Sequence, residues 1–137
     1  MRNLFLICLL LLLPTQLIWA EDENEDEEGE KAPVKISYYQ IKPSLVANLA
    51  EGGKYIRCDI QLMTKDETFL ESLALHGPAI RHALLMLLSE QDGKTLKSSG
   101  GKEALRKAAL REVKKILDEA TGKDAVEALL FTTFFVQ

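Results

Sequence analysis

Apolar and polar residues change their rhythm several times along this chain, and each change predicts an element. Val34 to Ile41, VKISYYQI, is rich in β-branched and aromatic residues and predicts a strand. Pro43 interrupts it, and Ser44 to Ala50 continues extended. Glu51-Gly52-Gly53-Lys54 predicts a hairpin turn, because glycine reaches positive φ at little cost. Tyr55 to Met63 then alternates. Ile56, Cys58, Ile60 and Leu62 share one face, and Arg57, Asp59 and Gln61 share the other, the pattern of a half-buried strand. Phe69, Leu70 and Leu73 follow at helical spacing, behind Asp66 as a cap and with Gly77 as the stop. Pro78 suits the first turn of a second helix, Pro78 to about Gln91. That segment is apolar nearly all round, which predicts burial from more than one side: a central helix, or one that meets another subunit. Asp92-Gly93 ends it.

Thr95-Leu96-Lys97 fits a short strand, and Ser98 or Ser99 caps a third helix from about Gly101 to Ala120. Leu105, Ala109, Val113, Ile116, Leu117 and Ala120 form its apolar stripe, and Gly122 ends it. Val126 to Val136 is an aromatic-rich strand. Strands at both ends and helices between them predict an α+β domain: a small, mostly antiparallel sheet with three helices, over residues 34–137.

The first twenty residues follow a different logic. Arg2 precedes an unbroken apolar run, Leu4 to Leu13, and Pro14, Thr15 and Gln16 break it before Leu17-Ile18-Trp19-Ala20. Positive start, short apolar middle and a small residue before the cut make a signal peptide, cleaved between Ala20 and Glu21. A short anchor is the alternative, but spanning a bilayer takes about 20 apolar residues. Either way the positive end stays behind and the rest crosses the membrane, which predicts a periplasmic domain beside the inner membrane. Cys8 lacks the small residues that should precede a lipid-modified cysteine.

Charge is lopsided. Glu21 to Glu30 holds eight acids and no base, whereas Lys31 onward has 16 Lys and Arg against 13 Asp and Glu, a net of +3. Residues 21–33 cannot bury enough apolar surface to offset ordering entropy and read as an acidic, disordered tether. A calcium site there would need turns that gather oxygens around one point, and only Gly29 offers one. With Cys8 removed in the signal, Cys58 is the one cysteine left, so no internal disulfide can form. It falls on the apolar face of its strand, where a thiol is inert.

Catalytic patterns are missing. His76 and His82 are six positions apart with Gly77-Pro78 between them, the wrong spacing for a helical zinc pair. Gly93-Lys94-Thr95 resembles the tail of a phosphate loop, but Leu88 stands where the pattern needs glycine. There is no Gly-x-Ser-x-Gly and no paired carboxylates, so catalytic, cofactor and metal residues are all read as none. Lys102, Arg106, Lys107, Arg111, Lys114 and Lys115 crowd one side of the third helix. Glu103, Glu112, Asp118 and Glu119 offset them, and an exported chain rarely meets nucleic acid. A solvated face, or docking to acidic protein or lipid headgroups, fits better.

Three stretches together resemble a known family. Pro78, Ile80, Arg81, Leu84, Leu85, Ser89 and Gln91 form the first; Gly101, Lys102, Leu105 and Arg106 the second; Phe131, Thr132, Phe134, Val136 and Gln137 the third. With Tyr39, Pro43, Val46 and Asn48-Leu49 upstream, residues 39–137 resemble the flagellar basal body-associated FliL family. The resemblance implies a fold similar to the stomatin-type domain, no enzymatic role, and a place at the inner membrane and flagellar basal body. It implies stator or basal-body proteins as partners, self-association into a ring, and a part in flagellar rotation, swimming, swarming and chemotaxis. One departure stands out: members of that family begin with a full membrane-spanning helix, where this chain has a short signal-like segment. A periplasmic variant with a related task is what that departure implies. The alternative is a general periplasmic scaffold or membrane-surface protein that shares the fold without serving motility.

Overall fold

The computed structural model describes residues 32–137. The expected signal peptide, its Ala20–Glu21 cleavage point and nearly all of the acidic tether lie outside the described residues. Three strands form one sheet in the order β1 (Ser37–Asn48), β2 (Tyr55–Thr64), β3 (Ala128–Val136), antiparallel throughout. The hairpin falls where the glycines predict it, with Gly52 at φ 69°. β2 is central and carries the alternation read from the sequence: Ile56, Cys58, Ile60 and Leu62 are buried.

The helices fill the interval between β2 and β3. A 3-10 turn (Glu67–Phe69) leads into α1 (Leu70–Leu75), α2 (Gly77–Ser89), α3 (Gly93–Leu96) and α4 (Ser99–Thr121). α2 packs on β1, α4 on β3, and α2 and α4 on each other, so one layer of helices covers one face of the sheet. Ile80, Leu84 and Leu88 from α2 and Leu105, Ala109, Val113 and Leu117 from α4 meet the inward residues of the strands in a single core. Thr64 is buried at the end of β2. Its hydroxyl donates to the Ala125 carbonyl (2.6 Å) and accepts from the Asp66 amide (3.1 Å), which ties the entry to β3 to the exit from β2. Among the described residues no helix is long and apolar enough to cross a membrane.

Several elements differ from their sequence reading. Pro43 does not split the first strand. β1 runs through it as an edge, with a register shift between Ile41 and Leu45 that takes up the missing donor. The strand also starts at Ser37, not Val34. Gly77 opens α2 instead of closing α1, and the break falls at His76. Thr95-Leu96 is a helical turn, not a strand: the Asp92 carboxylate accepts from the Lys94 amide (3.0 Å) and the Thr95 hydroxyl (2.9 Å), which winds the chain. The helical layer therefore has four members instead of three. α2 is not buried all round. Ala79, His82 and Met86 face outward, because the described residues form a single helical layer and none of them covers that side. On α4, Ala120 is exposed and Ile116 only partly covered.

Candidate interaction surfaces

The residues singled out by sequence fall into two groups on opposite edges of the sheet. The first sits at the α2–β1 edge. Pro78 occupies the first turn of α2, and Ile80 and Leu84 are buried beneath it, with Leu85 partly buried. Arg81 reaches from α2 to the edge strand, where its guanidinium donates to the carbonyls of Pro43 and Ser44, the latter at 3.2 Å. These are carbonyls that an edge strand leaves without a ladder partner. Ser89 and Gln91 close the end of α2, donating to the carbonyls of Met86 (2.7 Å) and Leu87 (2.9 Å). The Gln91 carbonyl accepts from Ala50 and so fastens that end to the hairpin.

The second group meets at the α4–β3 edge. Ser98 caps α4, its hydroxyl accepting from the Gly101 amide at 3.0 Å. Gly101 lies against the Thr95 carbonyl so closely that a Cβ would come within 2.0 Å of it. Leu105 is buried. Arg106 is held by both Glu103 oxygens (2.6 and 2.7 Å) and reaches the Leu129 carbonyl on edge strand β3 at 3.4 Å. This pairing raises the Arg106 pKa and lowers that of Glu103. Phe131 and Phe134 pack edge to face, centroids 4.9 Å apart, and the Lys102 ammonium stands 4.9 Å from the centre of the Phe134 ring. Both rings point inward because β3 shifts register between its partners Asp59 and Ile60, leaving Thr132 as the extra residue, with its hydroxyl 3.3 Å from the Asp59 carbonyl. Val136 pairs with Ile56, and Gln137 exchanges backbone bonds with Tyr55 at 3.0 and 3.1 Å. A shallow groove of about 290 Å³ runs here, lined by Ser99, Lys102, Glu103, Arg106, Leu130 and Phe131.

Sequence reasoning missed a third surface, the sheet face that no helix among the described residues covers. At its centre the Asp59 carboxylate accepts from the Ser44 hydroxyl. That bond, then one from Thr133, holds the carboxyl below its ordinary range. The alternation of β2 already placed Arg57 and Asp59 outward. What it could not supply was Ser44 and Thr133, which arrive from the two flanking strands. Cys58, one residue away, faces the core, and burial pushes its thiol up to about 12. His76 is half-buried at the α1–α2 junction and His82 is exposed.

The geometry so far is that of a two-layer α+β domain whose marked residues clamp helices to sheet edges and form small surface features. Residues 38–137 match the family described as flagellar basal body-associated protein FliL, and the chain belongs to that family. It is not a known enzyme family. Over 101 residues the chain is 28% identical to a flagellar protein FliL of Aquifex aeolicus (strain VF5), covering 72% of this chain and 60% of that relative. It is 25% identical over 112 residues to a flagellar protein FliL of Escherichia coli (strain K12), covering 82% of this chain and 73% of that one. The chain thus spans less than two thirds of the Aquifex relative's length.

Proposed function

We propose that this protein is a flagellar motor accessory. In this reading it sits in the periplasm beside the inner membrane and binds stator or basal-body proteins. It associates with its own copies into a ring and supports rotation for swimming and swarming. The observation that carries the proposal is the family match, which takes in nearly every described residue. Two further features support a binding role. Of the family-motif residues, Arg81 and Arg106 serve helix–sheet junctions and Gly101 the α3–α4 junction. Among the described residues, a shallow basic-aromatic groove and a sheet face without helices remain accessible. Pro78, Ser89, Lys102, Phe131 and Phe134 are proposed as structural or interface residues, and a stomatin-type relationship of the domain belongs to the same proposal.

Deleting the gene and recording speed in viscous medium and spreading on swarm agar tests it. The expected result is a loss that grows with load and is restored by the gene in trans. Motility unchanged at high load would overturn the reading.

A further inference from the structure

The two faces of the sheet are unlike. Among the described residues, four of the large apolar side chains that remain exposed stand on the face away from the helices: Tyr38 (52%), Val46 (54%), Leu130 and Phe135 (50%). Strand register lays that face out in rows. Val46, Arg57 and Phe135 make one row. Ser44, Asp59 and Thr133 make the next. Arg57 is exposed and has no ion-pair partner among the described residues. Aromatic and apolar side chains around a small number of fixed charges are the composition of a protein interface. Tyr55 and Phe135 add a tilted ring pair at 6.1 Å beside the Arg57 row.

The charges select the occupant. Arg57 and Asp59 lie two positions apart on the central strand, so the face is complementary to itself in one orientation. Take a two-fold axis midway between two such sheets, running across the strands above Cys58. It sets β2 antiparallel over β2 of a second copy. Arg57 then opposes the partner's Asp59, and Asp59 opposes the partner's Arg57. Val46 and Phe135 lie over the partner's Ser44 and Thr133. A two-fold along the strands would instead oppose like charges and is disfavoured. Packed sheets lie about 10 Å apart, within the combined reach of an arginine and an aspartate.

We infer that this protein pairs with a second copy of itself through the open face of its sheet, held in register by reciprocal Arg57–Asp59 ion pairs. This inference rests on the self-association in the proposed function and names a pairwise contact, which as a two-fold closes at two copies and is separate from the head-to-tail contact that would build the ring. Three strands of about ten residues offer roughly 480 Å² a side. The contact therefore belongs to the small, exchanging class, in which charge decides register and partner choice.

The test uses charge reversal in the full chain, by sedimentation equilibrium in mild detergent. The copy carrying Arg57→Asp bears two acids on this face, and the copy carrying Asp59→Arg bears two bases. Each alone should associate at least about tenfold more weakly than the parent, since each loses both ion pairs. Mixed in equal amounts they should form heterodimers of near-parental strength, because opposite charges then meet at both positions. Circular dichroism checks that each variant is folded. Should Asp59→Arg fail to fold, a Val46→Glu/Phe135→Glu double variant, on half-exposed positions, should abolish pairing. If the parent associates and no substitution on this face changes it, the sheet-face contact is wrong while self-association stands. If the mixture is as weak as its components, the reciprocal pairing is wrong. A parent that remains monomeric at high concentration overturns both.

Discussion

Gly100 and Gly101 stand side by side in the first turn of α4, yet they do different jobs. A Cβ at Gly100 would meet nothing within 4 Å, whereas one at Gly101 would reach within 2.0 Å of the Thr95 carbonyl. Glycine inside a helix costs about 1 kcal/mol relative to alanine. Gly100→Ala should therefore stabilise the protein by about 0.5–1 kcal/mol. Gly101→Ala gains the same propensity but must push α4 off the α3 turn, a backbone clash worth about 1–3 kcal/mol, and should be net destabilising. Urea titration of the two variants checks this directly. Equal effects of the same sign would show that the α3–α4 junction is looser than it stands here. Arg81 and Arg106 follow a related logic. Each leaves its helix to satisfy carbonyls on an outer strand, β1 for one and β3 for the other. At those points each edge offers fewer free carbonyls to a stray strand.

At the scale of elements, legibility tracked how local the cause was. The alternation of β2 and the stripe of α4 were readable because each buries one face against one layer. α3 was misread because three residues carry no period. Its winding depends on Asp92 and on the hairpin, where the Glu51 carbonyl accepts from the Gly93 amide at 2.9 Å. The all-round apolarity of α2 suggested burial from more than one side, within the domain or against another subunit. Its outward residues include the small Ala79, His82 and a methionine, which a surface tolerates. The Asp59 cluster was out of reach because Ser44 and Thr133 come to it only once both strand registers are known.

The turn before α1 gives the pH prediction at this scale. Asp66 accepts from the Thr68 amide (3.0 Å) and pairs with Lys123, whose ammonium also lies 5.8 Å from the centre of the Phe69 ring. The Lys123 bond above all, with the Thr68 hydroxyl next, lowers the Asp66 carboxyl from 3.8 to about 2. A depressed carboxylate contributes stability above its unfolded pKa and loses it as pH falls toward the folded one. Asp66→Asn should therefore melt lower than the parent at pH 7. The gap should close between about pH 4 and pH 2, where the parent's carboxylate is protonated as well. Thermal melts across pH 2–7 decide it, and a gap independent of pH would show that the cap acts through shape alone.

The whole molecule is closed by its most distant partners. β1 and β2 form a hairpin early in the described chain, but the other flank of β2 is covered only by β3, after all four helices. Leu129 is fully buried there, and Phe131, Phe134 and Val136 pack against the same core. Gln137 fastens the far end, donating to the Tyr55 carbonyl and accepting from the amides of Lys54 and Tyr55. Deleting Phe134–Gln137 would uncover one flank of Ile56 and Cys58 and remove the ring on which Lys102 rests. The loss is on the order of 3 kcal/mol for the phenylalanine and about 1 kcal/mol for each backbone bond. Together these approach the about 5–15 kcal/mol that separates folded from unfolded in a domain. The truncated chain should therefore lose its sharp thermal transition and its near-ultraviolet circular dichroism, while keeping part of its helical signal from α4, whose N-cap at Ser98 and C-cap at Gly122 are local. A cooperative melt in the truncated chain would mean that β1, β2, the helices and residues 128–133 of β3 hold a core without the far end of the third strand. Assembly through the sheet face would then have to survive on a shortened β3, without Phe135.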